Sequence, residues 1–296
     1  MQYFFELVIV GLSIGMVYGL VALGISLIYS GLDVVHFAHG EIYMLGAFIG
    51  LALYNALGIS YPLVLIGAMI LTGLVGVAIE RLFYRRLTSG GGGYTVAGMG
   101  MIICGFGMSI VLQNVAFLIW GPKANPFPVS FGMPVEIGTV VLPASYVWIV
   151  SAALLLMTAL HLFLKRTRLG LAVRAVAHNK EIAYLMGINV PLMISVIFGL
   201  ACALGAAAGV LIGPINYVQV LMGIGVLIKA FAAAVIGGFG SLPGAVLGGL
   251  IVGVTESLGA GYLSGSYKDI YAFVLMILVL MVRPTGLLGI EARVKA

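Results

Sequence analysis

Asp33, His36, His39 and Glu41 crowd into nine residues of a chain that is otherwise mostly hydrocarbon. Carboxylates and imidazoles at such density suit divalent-metal binding. The spacing by itself does not aim the four at one point, so no metal site is assigned. Two further ionisable residues, Lys229 and Glu256, lie deep in apolar runs. A charge near the centre of a bilayer costs at least about 2.5 kcal/mol, so such residues are functional suspects unless they pair. Pairing of Lys229 with Glu256 is the favoured reading, and lining of a wet cavity is the other. Glu6 and Glu80 fall at the ends of apolar runs, where they can reach the interface. Uncharged hydrogen-bonding residues within such runs are Tyr18, Ser26, Tyr43, Gln113, Asn114, Asn216 and Gln219. Gln113-Asn114 is the most polar adjacent pair, suited to a pore wall or to an interhelical hydrogen bond. No Ser-His-Asp or Cys-His arrangement and no Walker A pattern occurs, so neither hydrolytic chemistry nor ATP hydrolysis is expected of this chain. Cys104 and Cys202 lie in apolar runs and read as small buried residues.

The elements that must position these residues are membrane spans. Of 296 residues, 62% are hydrophobic and 8% charged, against roughly 25% charged in soluble domains. About 20 apolar residues cross a bilayer. Spans are read near 5–29, 41–58, 61–82, 95–119, 141–164, 190–212, 222–238, 243–260 and 268–284. The fold class is therefore all-α, a polytopic bundle of eight to nine crossings in one domain, 1–296. The seventh stretch is short and holds Lys229, so a re-entrant helix is an alternative there. The first stretch lacks a basic flank and is read as a retained span.

Eleven of the fourteen Lys and Arg fall in 80–93, 165–189 and 283–296. The positive-inside rule puts these segments on the cytoplasmic side, with the N-terminus outside and the C-terminus inside. Basic residues that track loop ends do not make the exposed face that nucleic acid needs. The segment 165–189 carries Lys165, Arg166, Arg168, Arg174 and Lys180 and is long enough to dock a cytosolic partner. On the opposite side, 120–140 is turn-rich, with four prolines, and reads as a lid or a connector. Gly90 to Gly93 read as a hinge.

Forty-three glycines are far above the usual share of about 7%. Small residues four apart, as in Gly11/Gly15/Gly19, Gly205/Gly209/Gly213 and Gly249/Gly253, let helices approach closely in lipid. Spans one to three and seven to nine share a glycine pattern that suggests a parallel repeat. GGFGSLPGAVLGG (237–249) suggests a break between two half-helices, making Gly238, Gly240, Ser241 and Pro243 pathway candidates beside Tyr43, Gln113 and Asn114.

Glu181-Ile182-Ala183, followed three residues later by Gly187, resembles the EAA loop of bacterial ABC importer permeases. HFAHGEIYMLGAF (36–48), LIKAFAAAVIGGFGSLPGAVLGGLIVG (227–253), RLGLAVRAVAHNKEIAYLMGINV (168–190) and RPTGLLG (283–289) resemble the branched-chain amino-acid permease family, and within it the shorter, H-type subunit. One departure is His36, where that family often has Asn. The resemblance implies a pore-forming subunit of an ATP-driven importer of branched-chain amino acids in the bacterial inner membrane, working by alternating access. It implies a second homologous permease subunit, two cytoplasmic ATPase subunits carrying ATP and Mg, and a periplasmic substrate-binding protein. It implies that Arg174, Glu181, Ala183 and Gly187 couple to the ATPase. A permease for urea or short amides is an alternative. So is a stand-alone channel or secondary carrier for a small polar solute, which the broken Gly-Pro segment favours.

Overall fold

The computed structural model describes residues 2–88, 94–137 and 140–289. The glycine hinge at 90–93 and the basic residues Arg293 and Lys295 lie outside the described residues. Among the described residues nine apolar helices carry the fold: α1 (Gln2–Leu32), α2 (His39–Leu57), α3 (Tyr61–Ile79), then, after a π-helical turn (Glu80–Tyr84) and the short α4 (Arg85–Thr88), α5 (Tyr94–Trp120), α6 (Ala144–Arg166), α9 (Val190–Ile212), α10 (Met222–Gly237), α11 (Leu242–Tyr262) and α12 (Lys268–Val282). Two short helices, α7 (Arg168–His178) and α8 (Lys180–Leu185), fill the basic segment between α6 and α9. Eight helices among the described residues are long and apolar enough to cross a membrane, and α10 is shorter. The expected bundle is therefore present, and every expected span is a helix.

Local signals set the ends. The side chains of Thr167, Asn179, Asn189 and Ser241 each accept a hydrogen bond from the backbone three residues on, capping α7, α8, α9 and α11. Pro191 and Pro243 occupy first turns, where a missing N–H costs nothing. The turn-rich segment after α5 adds a two-stranded ribbon, Val135–Ile137 with Val140–Leu142, and a bridge between Asn125 and Val218.

Glycine determines the packing. A Cβ on Gly15 would sit 2.8 Å from the Gly249 carbonyl oxygen, and one on Gly11 would sit 2.8 Å from Val254 Cα, so α1 and α11 pack backbone on backbone. On its other side α1 runs antiparallel to α9: Gly31 faces Ile197 and Gly24 faces Ala201. Gly73 and Gly76 of α3 meet Gly199 and Cys202 of α9. Thus α1–α2–α3 and α9–α10–α11 repeat one pattern, each first helix packing on the last helix of the other trio, α1 on α11 and α9 on α3. The trios run in opposite senses. This is an inverted repeat of spans one to three with six to eight, and it corrects the expected parallel repeat with seven to nine. Glycine stripes mark close approach in either sense, so composition could not tell the two apart.

α2 and α10 do not begin at a bundle surface. His39 opens α2 beside Gly24 in α1 and Gly205 in α9, both well inside their helices. Gly223 in the first turn of α10 abuts Gly40: a Cβ on either would lie 2.6 Å from the other's carbonyl oxygen. Two helix N-termini therefore meet in the interior. The chain reaches them through irregular segments, 33–38 and 213–221. Such backbone is tolerated at membrane depth only when packed in protein or facing a wet cavity.

The turn at Gly238 to Ser241, expected to be a break at depth, is instead the link between α10 and α11 at one end of the bundle. Phe239 packs on Tyr29 near the end of α1 at 4.8 Å, and Leu287 and Leu288 donate their N–H groups to the Ile236 and Gly237 carbonyls. Gly238 and Gly240 have φ of 101° and 80°, which explains the glycines without any pathway role.

Candidate functional site

Among the described residues three polar assemblies lie within the bundle, and a fourth feature projects from it. The first sits where α2 and α10 meet. His36, His39 and Glu41 are at most 2% exposed. His36 Nδ1 and the Tyr84 hydroxyl share a hydrogen bond of 2.7 Å, and the π-helical turn presents Tyr84 for it. Ser109 of α5 donates to Glu41 Oε1 at 3.2 Å. Glu41 Oε2, both ring nitrogens of His39, His36 Nε2, Ser26 Oγ and Thr72 Oγ1 are buried without a hydrogen-bond partner. Among the described residues no group of three His, Cys, Asp or Glu is placed to hold a metal ion. Asp33, grouped with these residues by sequence, instead bonds Lys180 of α8 at 2.9 Å.

The second assembly is ionic. Lys229 Nζ lies 2.6 Å from Glu256 Oε1, 2.8 Å from Asp269 Oδ1 and 3.3 Å from the Tyr18 hydroxyl, which itself donates to Glu256 Oε2 at 2.9 Å. The expected Lys229–Glu256 pair is present and ties α1, α10, α11 and α12 together. The third assembly joins the π-helical turn to the start of α9. Arg85 donates to both oxygens of Glu80, and Ser195 donates to Glu80 Oε2 at 2.5 Å. Arg85 also reaches the Pro191 carbonyl and Ser195 Oγ. Glu80, expected at the interface, is 2% exposed and charge-paired instead.

The fourth feature is the basic segment. Arg174 and Glu181 are exposed on α7 and α8. Ile182, Tyr184, Leu185 and Met186 are 55%, 72%, 82% and 75% exposed. An apolar patch of this kind, rimmed by charge, marks an interaction surface. Ala183 is only 2% exposed and anchors α8 to the bundle, so the outward patch does not include it. Gly187 has φ of 81° and ends α8, its N–H bonding the Tyr184 carbonyl while Ile188 bonds that of Ala183.

The proposed pathway residues separate. Gln113 and Asn114 lie together on α5 and line, with Phe117, Pro122 and Gln219, an open cavity of about 220 Å³. Tyr43 is 1% exposed and packs in the core, one turn beyond His39. Gly238, Gly240, Ser241 and Pro243 belong to the α10–α11 link and join neither group. Sequence reasoning missed Ser109, Tyr84, Arg85, Ser195 and Asp269. Their partners lie from 5 to 115 residues away, and no spacing rule links them.

Residues 7–280 match the family model described as branched-chain amino acid transport system / permease component. The chain is 41% identical to the high-affinity branched-chain amino acid transport system permease protein BraD of Pseudomonas aeruginosa, over 94% of each chain. It is 36% identical to the corresponding protein LivH of Escherichia coli K12, over 97% of this chain and 96% of that one. Among solved structures, PsaBC from Streptococcus pneumoniae in complex with Fab is similar in fold, with a TM-score of 0.50 at 18% identity, covering 96% of this chain and 93% of that one.

Proposed function

This chain belongs to the permease family of branched-chain amino acid transport systems, and from that premise we propose how its parts divide the work of import. It is a multi-pass membrane permease component of an ATP-driven importer of branched-chain amino acids. It is not an enzyme, since ATP hydrolysis in such systems lies on separate subunits. ATPase subunits and a substrate-binding protein are the partners this implies. A second, homologous permease chain completes the pore, giving a heterodimer with two ATPase subunits. The membrane is the bacterial inner membrane, with the N-terminus periplasmic and the C-terminus cytoplasmic. That orientation rests on the concentration of basic residues at 80–93, 165–189 and 283–296.

The observation that carries the division of work is the α7–α8 projection. Its exposed Ile182, Tyr184, Leu185 and Met186, with Arg174 and Glu181 at the rim, offer an apolar contact with a charged border. We assign this surface to the ATPase. Gly187 fixes the angle at which α8 returns to α9. The Lys180–Asp33 bridge joins α8 to the segment that enters the polar interior, and Arg85–Glu80–Ser195 joins the same end of α9 to α3. A push on α8 thereby reaches the meeting point of α2 and α10 without crossing lipid. Alternating access follows if the two inverted trios rock about that point.

The test is uptake by proteoliposomes holding both permease chains, the ATPases and the binding protein. ATP-dependent leucine uptake is the expected outcome. Urea uptake at an equal rate, or leucine uptake by this chain alone without ATP, would overturn the proposal. Replacing Ile182 and Leu185 together by Asp should release the ATPase from the purified complex and leave the permease monodisperse.

A further inference from the structure

The junction of α2 and α10 holds a carboxylate that the packing alone does not explain. Among the described residues, the buried acids Glu80 and Glu256 each lie against a cation, Arg85 and Lys229. Glu41 is equally buried, at 2% exposed, and has only the Ser109 hydroxyl on one oxygen. Its second oxygen has no partner and points at the first turn of α10, where it would lie 2.9 Å from a Cβ on Gly223. Glu41 stands in the first turn of α2, and α10 begins opposite it. Helix N-termini favour negative charge, and one oxygen of this carboxylate is unsatisfied. Such a group calls for a cation that comes and goes.

The route to it is polar. Ser109 and Gln113 are one helical turn apart on α5, and Gln113 with Asn114 and Gln219 lines the open cavity. The segment carrying Gln219 leads directly into α10 and Gly223. α5 itself is lightly held: much of its surface is exposed, and nothing lies within 4 Å of a Cβ on Gly107. A small shift of this helix would take Ser109 off Glu41 and join the cavity to the carboxylate. Inverted-repeat transporters commonly place their binding sites at broken helices near mid-membrane.

We propose that Glu41 receives the ammonium group of the amino-acid cargo inside the membrane, with Ser109 occupying it between turnovers. This rests on the importer reading above and adds to it a cargo subsite within the permease itself. The amides of Gln113, Asn114 and Gln219 supply donors for the cargo's carboxylate on the way in.

The experiment is leucine uptake by the complete reconstituted importer. Glu41→Gln should lower uptake about tenfold or more, the loss of one charge-assisted contact. Glu41→Asp should keep a substantial part of it, and Ser109→Ala should alter half-saturation about threefold while the complex assembles as before. Wild-type uptake by Glu41→Gln overturns the subsite, as does equal loss in Glu41→Asp and Glu41→Gln. If Glu41→Gln does not assemble, Glu41→Asp and Ser109→Ala carry the test, and unchanged half-saturation in both overturns it. A wild-type complex that binds its ATPases but imports no amino acid overturns the importer reading itself, which distinguishes that failure from failure of the subsite alone.

Discussion

Lys229 illustrates why a buried charge must be judged with its partners. Alone in an apolar helix it would be intolerable; against Glu256, Asp269 and the Tyr18 hydroxyl it is a clamp across four helices. Removing one partner of such a pair leaves the other buried and uncompensated, a cost of about 3–5 kcal/mol. Lys229→Met should therefore lower the melting temperature of the detergent-purified protein strongly, and adding Glu256→Gln should recover part of the loss. A double variant no more stable than Lys229→Met would show that the lysine acts through packing of its stem. At the basic end, Ser195→Ala removes the hydroxyl that donates to buried Glu80, and a loss of about 1–3 kcal/mol is expected in the same measurement.

The helices themselves are held by the absence of side chains. Lipid gives apolar helices no hydrophobic reason to associate, so close backbone approach and dispersion must do so. A Cβ on Gly249 would lie 2.5 Å from Gly19 Cα, within a backbone that cannot swing aside. Gly249→Val should separate α1 from α11 and abolish recovery of folded protein. Gly107→Ala is the contrast: its site on α5 is open, and helix propensity favours Ala over Gly by about 0.5–1 kcal/mol. That variant should be recovered at least as well as the wild type. Gly187 belongs to neither class, because its φ of 81° penalises any side chain. Gly187→Ala should cost about 1–2 kcal/mol and tilt α8 relative to the bundle. In the assembled importer its expected readout is weaker ATPase retention.

As a whole the molecule is two interlocked trios with a lever at one end and a polar junction at the centre. The exposed apolar faces of α3, α5 and α12, including Ile70, Leu74, Ile103, Leu118, Leu278 and Met281, are compatible only with lipid or another membrane chain around them. The junction lies where the two trios meet, so a rocking motion alters it first. The lever bears on the 33–38 segment, which enters the junction from the lever's own end. Cutting the strut with Lys180→Ala should change stability by less than about 1 kcal/mol, as exposed ion pairs do. Its expected effect on function is larger: leucine uptake per ATP hydrolysed should fall, which reconstituted complexes can measure directly.

The spans, their approximate ends, the basic projection and the pairing of Lys229 with Glu256 were all legible in the sequence. They depend on local composition and on the cost of charge in hydrocarbon, and both act residue by residue. The inverted sense of the repeat, the mid-depth start of α2, the inward turn of Ala183 and the bundle-end position of the 238–241 link could not be read from the sequence. Each depends on which distant helix a given face meets. A glycine stripe permits close approach without naming the partner or its direction, and a glycine-proline turn is the same whether it lies at the centre of a bilayer or at its edge. Only the three-dimensional packing brought Glu41, Ser109 and the two helix N-termini to one place, because they come from segments up to about 180 residues apart that no local force connects.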